Sequence, residues 1–318
     1  MKILGTGAGL PARRVYNSEL AAFLDTSDEW IVSHTGIQTR YVCVEESLTD
    51  LAEAAGRQAL RNAGWTAKDM DLLIAATISG DYITPSLACR VAERLGAVCP
   101  AFDVNAACSG FIYALEAADA FMAAGKAENI LILACEEMSK HVDWTDRSIC
   151  PLFGDGAGAV AVSCGGALRY MHLTAAGNTA PLKMRAPRGN SPFQPDVPQE
   201  DKFIRMSGQE VFKFAVQSIE KEVGLALAAL SLAPEDVHLY LLHQANLRII
   251  ESARQKLKLS ADKFPTNIER HGNMSSAAIP ILLNEMLEAG KVAEGDILLM
   301  SAFGAGMTTG TCVWYWES

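Results

Sequence analysis

The sequence predicts an α/β fold that is assembled from two similar halves. Short apolar runs typical of buried strands alternate with Ala-rich stretches of helical spacing. A chain of 318 residues, half of them hydrophobic, can bury one large core or two fused cores. The runs that predict strands are residues 72–76, 130–133, 237–242 and 297–300, and those that predict helices include residues 49–63 and 208–230.

An internal repeat is indicated by two pairs of matching segments. The sequence KDMDL at residues 68–72 resembles EDVHL at residues 235–239. The sequence AGK occurs at residues 124–126 and again at residues 289–291, and a predicted strand follows it each time. The matches are short, so chance similarity is the alternative explanation. If the repeat is real, we expect two similar halves, with different functional residues at the N-termini of equivalent helices.

Composition and charge argue against several classes of function. The formal net charge of −10 argues against an unaided affinity for nucleic acid or an anionic membrane, although not against a local basic patch. The uncharged stretch at residues 300–316 contains three glycines and is unsuited to a membrane helix. None of the eight cysteines forms a C-x-x-C pair or lies at metal-like spacing from a histidine. With no signal peptide recognisable, we expect reduced thiols, no metal site and a cytoplasmic protein.

Cys108 is a candidate catalytic nucleophile because of the residues around it. The apolar residues that follow it cover most of a helix surface, which predicts a helix buried on nearly all sides. At the N-terminus of such a helix, free N–H groups and the helix dipole favour a thiolate. The small neighbours Ala106, Ala107, Ser109 and Gly110 leave room for a substrate. The alternative is an inert cysteine of the core.

His243 and Asn273 are further candidates. His243 directly follows an apolar predicted strand, and polar residues at the carboxyl ends of strands in α/β sheets tend to line ligand crevices. A structural histidine is the alternative. Asn273 on its own is best explained as a helix N-cap. Matching Gly125 with Gly290 across the repeat, however, places Asn273 opposite Cys108, at the start of an equivalent helix.

The glycine-rich motifs do not predict a nucleotide site. Residues 5–9 (GTGAG) follow a strand-like segment, but Leu10 and Pro11 come next and no helix follows. Residues 154–158 (GDGAG) lead into a predicted strand, which indicates a tight strand entry rather than a phosphate cradle. Residues 303–306 (FGAG) would let the backbone approach a ligand closely.

Residues 178–205 form a long irregular segment with five prolines. A loop of this length is uncommon in a compact domain and is often functional, so we expect it to border the substrate site. A plain surface excursion is the alternative. The basic residues from Arg248 to Lys258 are typical of a solvated helix face, and Trp30 alone predicts only a packing anchor.

Five motifs link this sequence to a known family. They are DTSDEWI at residues 25–31, AACSG at 106–110, FGDGAG at 153–158, HQANLR at 243–248 and HGN at 271–273. Together they resemble β-ketoacyl-acyl-carrier-protein synthase III, of the thiolase-fold superfamily, and the resemblance covers essentially the whole chain. It implies a duplicated, layered αβαβα fold with halves at residues 1–165 and 166–318, which agrees with the internal repeat.

The family resemblance also implies a catalytic machinery and a reaction. It implies a triad of Cys108, His243 and Asn273, with the backbone N–H groups of Cys108 and Ala305 as the oxyanion hole. The implied reaction is a decarboxylative Claisen condensation of an acyl-CoA primer with malonyl-acyl carrier protein. Its product is a 3-oxoacyl-acyl carrier protein, and it initiates fatty acid biosynthesis. Acyl-CoA is then a substrate, so no cofactor is expected, and the family is typically a homodimer.

The binding residues follow from the same resemblance. Trp30 and Arg147 are similar to residues that hold the CoA adenine, and Asn246 is expected at the CoA site as well. Arg248 is similar to the main charged residue of the carrier-protein contact, and such a basic patch can steer an acidic carrier to a net acidic enzyme. The whole contact region implied by the resemblance is Gln244, Ala245, Asn246, Leu247 and Arg248.

Two positions depart from the family pattern. Many members have Arg where this chain has His34, near the CoA phosphates, and a neutral histidine gives a weaker phosphate contact. Some members have a bulky aromatic residue immediately before the proline that matches Pro85, where it closes the acyl channel across the dimer. Thr84 occupies this position here and predicts room for a longer or branched acyl primer.

Three other functions are compatible with parts of this pattern. A specialised condensing enzyme of the same fold, making a polyketide or quinolone-type metabolite, would carry the same triad and differ in its acyl donor. A thioesterase-like or acyltransferase relative would keep Cys108 without condensing, but retention of His243 and Asn273 argues against it. The intact triad likewise argues against a catalytically silent module that binds a carrier protein.

Overall fold

The first half of the chain forms a five-stranded mixed sheet. The computed structural model describes residues 1–186, 192–193 and 203–317. The elements of this half are β1 (Lys2–Gly9), β2 (Arg14–Tyr16), α1 (Asn17–Leu20), α2 (Asp28–Thr35), β3 (Thr39–Tyr41), α3 (Leu48–Ala63), β4 (Leu72–Ala76), α4 (Leu87–Leu95), β5 (Ala101–Val104), α5 (Gly110–Ala123), β6 (Asn129–Glu136) and β7 (Gly156–Ser163). The sheet has the order β1-β7-β6-β4-β5, in which β4 is parallel to β5 and β6, and β7 is antiparallel to β6 and β1.

The second half forms a four-stranded sheet of similar design. Its elements are β8 (Leu168–Asn178), β9 (Leu182–Lys183), β10 (Arg205–Met206), α6 (Gly208–Leu230), β11 (Leu239–Leu242), α7 (Leu247–Leu257), α8 (Ile268–His271), α9 (Ala278–Glu288), β12 (Ile297–Gly304) and β13 (Gly306–Tyr315). The sheet has the order β11-β12-β13-β8, with β11 parallel to β12 and the other pairs antiparallel. The short strands β9 and β10 pair with each other, as do β2 and β3.

The two sheets repeat one topology. The order β1-β7-β6-β4 in the first corresponds to β8-β13-β12-β11 in the second, with the same parallel and antiparallel pairings. The strands that follow the two AGK segments, β6 and β12, are each eight residues long. The internal repeat is therefore a structural duplication and not a chance similarity. The predicted boundary at residues 165 and 166 lies between β7 and β8.

The layers of the molecule explain why its central strands are largely apolar. Helices α5 and α9 pack between the two sheets, where Phe111, Ile112 and Leu282 belong to one core with Ile74 and Met300. Helices α3 and α4 cover the outer face of the first sheet, and α6 and α7 cover that of the second. Because helices cover both faces of each sheet, side chains on either face of a strand meet apolar neighbours. The predicted α/β fold with five αβαβα layers is confirmed.

The glycine-rich segment at residues 5–9 has a packing function. Gly5, Gly7 and Gly9 lie in β1, and a Cβ on any of them would collide with the backbone of α3. The helix thus packs directly onto the strand, which only glycine permits. This contact supports the interpretation that the motif does not bind a dinucleotide.

The predicted pairing of Cys108 with Asn273 is wrong in its register. Each central helix is preceded by a 3₁₀ turn, Ala107–Ser109 in one half and Ser275–Ala277 in the other. The first residues of these turns, Ala107 and Ser275, share a left-handed φ of 48° and 49°. Cys108 is therefore equivalent to Ser276. The prediction aligned the two halves at Gly125 and Gly290, which follow the central helices. This alignment misplaces the helix starts by three residues, because α5 has 14 residues and α9 has 11.

Candidate active site

A single large cavity contains the three candidate catalytic residues. It has a volume of about 1030 Å³ and is lined by residues of both halves. Cys108, His243 and Asn273 all lie on its wall, although they are far apart in the sequence. Within the residues that the structure describes, no group of three or more His, Cys, Asp or Glu side chains is arranged to hold a metal ion.

Cys108 lies in the 3₁₀ turn that leads into α5 and is partly accessible from the cavity. Burial raises the pKa of its thiol to about 12, although a hydrogen bond from the Ser275 side chain acts in the opposite direction. The expectation that the helix dipole would favour a resting thiolate is thus outweighed by desolvation. The thiol is protonated at neutral pH and has to lose its proton before it can attack a thioester.

His243 directly follows β11, as predicted, and its side chain is buried. Burial lowers its pKa to about 3, so the imidazole is neutral at physiological pH. Neither ring nitrogen has a hydrogen-bond partner among the described residues, while the ring packs edge-on against Phe303 at 5.3 Å between centroids. A buried and unpartnered imidazole on a cavity wall is suited to hydrogen-bonding a substrate.

Asn273 is fixed by its backbone and by its side-chain oxygen. Its N–H donates to Leu152 O at 2.8 Å, and its C=O accepts from Gly154 N at 3.1 Å. Its Oδ1 accepts from Ser275 N at 2.9 Å, so the Nδ2 amide group is left to donate to a ligand. Asn273 is not the N-cap of α9, whose N-cap is Ala277, and the capping alternative is wrong for that helix.

Glu136 is a buried acidic residue at this site that the sequence analysis missed. It ends β6, is fully buried and accepts hydrogen bonds from Ser275 and Ser276 at the start of the second central helix. A charged residue that ends an otherwise apolar strand was the available signal. The equivalent residue of β12 is Gly304, and a Cβ there would lie 2.9 Å from Cys108 N.

Three residues expected at the CoA site lie together at one edge of the cavity. The Trp30 and His34 rings are stacked with centroids 4.3 Å apart, and both residues line the cavity. The Arg147 guanidinium lies 5.6 Å from the centre of the Trp30 ring and donates to the Asp25 carbonyl at 2.7 Å. Asn246 caps α7 and its Nδ2 donates to His34 O at 3.0 Å, which joins this group to the second half.

The residues expected to contact a carrier protein have different exposures. Arg248 is exposed, and Ala245 and Asn246 line the cavity, while Leu247 packs on the core beneath. Gln244 is fully buried, and it donates to Leu242 O and accepts from Asn267 N. These hydrogen bonds hold the loop after β11 and leave the Gln244 side chain unexposed, and its contact with a carrier protein stays a prediction.

The remaining expectations concern the oxyanion hole, the acyl channel and the long loop. Ala305 lines the cavity, as does Cys108. Thr84 is exposed and does not line the cavity of its own chain, so a role in the acyl channel requires a second subunit. The described ends of the segment 178–205 border the cavity, through Leu182 and Ile204 among others. Residues 187–191 and 194–202 lie outside the described part of the chain.

The fold and the site together define a condensing enzyme of the thiolase fold. Sequence profiles of the family described as 3-oxoacyl-[acyl-carrier-protein (ACP)] synthase III match residues 102–177, and its C-terminal part matches residues 227–316. The β-ketoacyl-[acyl-carrier-protein] synthase III of Rhodospirillum centenum is 45% identical over 323 residues, which cover 99% of this chain and 98% of that protein. The chain belongs to the β-ketoacyl-acyl-carrier-protein synthase III family and is an acyltransferase.

Solved structures agree with this assignment. The 3-oxoacyl-[acyl-carrier-protein] synthase III of Aquifex aeolicus VF5 has a TM-score of 0.92 and 41% identity, and the match covers 99% of each chain. The priming β-ketosynthase of the R1128 polyketide pathway has the same TM-score at 32% identity, with 99% of this chain and 96% of that chain covered. The identities of 45% and 41% to the synthase III enzymes of Rhodospirillum centenum and Aquifex aeolicus exceed the 32% to the priming ketosynthase and favour the condensation that initiates fatty acid biosynthesis over the polyketide alternative.

Proposed function

We propose that this cavity carries out the condensation in two steps, with Cys108 as the acyl carrier between them. The observation that carries the proposal is the meeting of Cys108, His243 and Asn273 on the wall of one cavity between the two halves. In the first step the Cys108 thiolate attacks the thioester of acyl-CoA, and CoA leaves as a thiolate. The backbone N–H groups of Cys108 and Ala305 are suited to stabilise the oxyanion that forms.

In the second step malonyl-acyl carrier protein replaces CoA and loses CO₂. His243, as a neutral imidazole, and Asn273, through its Nδ2 group, donate to the thioester oxygen while enolate charge develops. The resulting carbanion attacks the acyl carbonyl on Cys108, and the sulfur departs as a thiolate. The product is 3-oxoacyl-acyl carrier protein, and acyl-CoA is a substrate, so we propose no additional cofactor.

The surface around the cavity mouth supports binding of both substrates. Trp30 and Arg147 offer an aromatic face and a cation to the CoA nucleotide. Arg248 has no ion pair among the described residues, whereas Arg254 and Lys256 of the same helix pair with Glu251 and Glu220. The Arg248 guanidinium lies 5.7 Å from the centre of the Phe212 ring, and a cation beside the cavity is suited to meet an acidic carrier protein.

A homodimer would complete the acyl end of the site. Strand β5 is an edge strand of the first sheet, and Tyr82 and Ile83, between β4 and α4, are exposed by 58% and 89%. An apolar edge of this kind is normally covered. Thr84 would then approach the cavity of the partner subunit, where its small side chain favours a longer or branched primer.

The chain is also proposed to work in the cytoplasm. Its eight cysteines all lie in the described residues and are free thiols, as expected in a reducing compartment. Among those residues, no helix combines the length and apolarity needed to cross a membrane.

Acyl loading tests the first step directly. The protein is incubated with a panel of acyl-CoAs, and intact-mass and peptide mass spectrometry then identify the loaded group and its position. We expect one acyl group per chain on Cys108 and none on a Cys108→Ala variant, with Cys164→Ala, which changes an exposed cysteine, as the control. An acylated Cys108→Ala protein at unchanged yield would contradict the proposal.

A further inference from the structure

Three side chains from one short helix bind a single carboxylate, that of Glu285 on α9. His271 Nε2, at the end of α8, lies 2.6 Å from Glu285 Oε1. Asn267 Nδ2, at the N-cap of α8, donates to Glu285 Oε2 at 3.1 Å, and Arg270 Nη2 donates to the same oxygen at 2.9 Å. A helix of four residues is marginal by itself, so these bonds to Glu285 hold α8 in place against α9.

The bonds from His271 and Asn267 form the buried side of this group. His271 is 3% exposed and Asn267 is fully buried, whereas half of the Arg270 side chain is exposed. Burial acts to raise the pKa of the Glu285 carboxyl, but the hydrogen bond from His271 and the charge of Arg270 outweigh it and hold the pKa below its usual value. A buried hydrogen bond to a carboxylate contributes more than an exposed ion pair, so His271 and Asn267 matter most.

The chain passes directly from α8 to Asn273. Gly272 is the single residue between them, and its φ of 69° with a ψ of −166° is a conformation that only glycine adopts readily. On its other side, Asn273 Oδ1 accepts from Ser275 N in the 3₁₀ turn that leads into α9. Asn273 is thus held between two attachments to α9, of which one is this turn and the other is the bond from His271 to Glu285.

The start of α8 is tied to the loop that carries His243. Gln244 Oε1 accepts from Asn267 N at 3.2 Å, and Gln244 Nε2 donates to Leu242 O at 2.7 Å. His243 lies between these two anchor points, and its own N–H donates to Ser301 O at 2.9 Å. Gln244 and Asn267 are both fully buried, so no solvent competes for these bonds.

We propose that Glu285 is a positioning residue that fixes the spacing between His243 and Asn273, the two donors of the second step. This inference rests on the proposed function and deepens it. Glu285 does not line the cavity, so it acts on the reaction only through other residues. It acts through Asn267 toward His243, and through His271 toward Asn273.

The spacing of the two donors matters because both have to reach one oxygen. An enolate oxygen is stabilised by two donors only where each lies at hydrogen-bonding distance from it. A displacement of about 1 Å at such a group can lower a rate about 10²-fold. Acyl loading instead uses the backbone N–H groups of Cys108 and Ala305 in the proposed reaction, and no hydrogen bond of Glu285 involves either residue. Loss of Glu285 should therefore slow decarboxylation selectively.

Variants of two glutamates on the same helix test this inference. Glu285→Ala removes the acceptor, and Glu288→Ala is the matched control, since Glu288 accepts from Gln58 and has no bond to α8. Loading from acyl-CoA is followed by rapid quench and mass spectrometry. Decarboxylation is followed as labelled CO₂ released from malonyl-acyl carrier protein by the isolated acyl-enzyme. A series of carrier-protein concentrations separates the maximal rate from the half-saturating concentration.

We expect Glu285→Ala to lower the maximal rate of decarboxylation about 10- to 10²-fold. The half-saturating concentration and the loading rate should stay within about threefold of those of the unchanged protein, because neither depends on the spacing of the two donors. Glu288→Ala should match the unchanged protein in all three quantities.

A conservative variant tests whether the geometry of the hydrogen bonds is what matters. Glu285→Gln keeps an acceptor for His271 and can donate to Asn267 Oδ1, which has no partner among the described residues. It should therefore restore the decarboxylation rate to within about fivefold of that of the unchanged protein, as for the loss of charge from a hydrogen bond that is still made. A Glu285→Gln protein as slow as Glu285→Ala would contradict the inference.

A double variant tests whether Glu285 acts through Asn273. Once Asn273→Ala has removed one donor, the spacing between two donors no longer affects the rate. Adding Glu285→Ala should then slow decarboxylation by no more than about threefold, since residues that act as a unit are not additive. Two losses that multiply in full would show that Glu285 acts independently of Asn273.

Two further results would overturn the inference. One is a Glu285→Ala protein that decarboxylates at the unchanged rate, and the other is an equal loss of loading and decarboxylation, which would indicate general support of the fold. If Glu285→Ala does not fold, His271→Leu removes the same bond from the other side and is compared in the same assays. An unchanged protein that neither loads nor decarboxylates would overturn the proposed function instead, so the two failures are distinguishable.

Discussion

At the residue scale, burial sets the charges of the groups on the cavity wall. It holds Cys108 as a thiol, with a pKa of about 12, and His243 as a neutral imidazole, with a pKa of about 3. A neutral imidazole keeps one N–H, which can donate to a developing enolate. The cost is that Cys108 has to lose its proton before it can attack a thioester.

Asn273 should matter more for decarboxylation than for acyl loading. Its Nδ2 group is free to donate because Ser275 N occupies Oδ1. Asn273→Ala should slow decarboxylation of malonyl-acyl carrier protein by about 10²- to 10³-fold, as expected for one lost oxyanion donor. Loading of Cys108 from acyl-CoA should fall by much less, and release of labelled CO₂ compared with mass spectrometry of the acyl-enzyme checks both. Equal losses in the two assays would contradict this role.

The sequence predicted the site residues that lie within short motifs. It missed those whose contacts depend on residues far apart in the chain. Cys108 and His243 were predicted because each is next to a recognisable strand or helix pattern. Glu136 was missed because its partner Ser276 lies 140 residues away in the chain. The burial of Gln244 was not predicted, because a motif gives the identity of a side chain and not the direction in which it points.

At the element scale, the two central helices give the site its asymmetry. Both follow a 3₁₀ turn with a left-handed first residue, but one turn carries Cys108 and the other carries two serines. The strand ends beside them differ as well, since Glu136 in β6 corresponds to Gly304 in β12. The glutamate side chain supports the opposite turn, while the glycine lets Cys108 N approach closely. The sequence repeat predicted this duplication. The three-residue difference in length between α5 and α9 made the predicted alignment of the two helix starts wrong.

The open edge of β5 predicts a dimer. The unchanged protein should have twice the 34.1 kDa mass of one chain in light scattering. Ile83→Arg places a charge on an 89% exposed side chain near that edge and should shift the protein to the mass of one chain. Val98→Arg is the control, because Val98 is fully exposed in the turn after α4 and should have no effect. A single-chain mass for the unchanged protein would contradict the prediction.

At the scale of the whole molecule, duplication has produced one cavity from two halves. The first half supplies Cys108 and the Trp30 edge, while the second supplies His243 and Asn273. The layered architecture was predictable because buried strands and helices have distinct periodicities. The cavity could not be predicted from the sequence, because its walls depend on how the two sheets pack against the central helices.

The central claim is that Cys108 holds an acyl group for attack by a carbanion made in the same cavity. It is tested most directly by isolating the acyl-enzyme and adding malonyl-acyl carrier protein for a single turnover. We predict that the acyl group leaves Cys108 as one equivalent each of CO₂ and 3-oxoacyl-acyl carrier protein appears. Release of the acyl group as a free acid, or CO₂ release with the acyl group still on Cys108, would contradict the account.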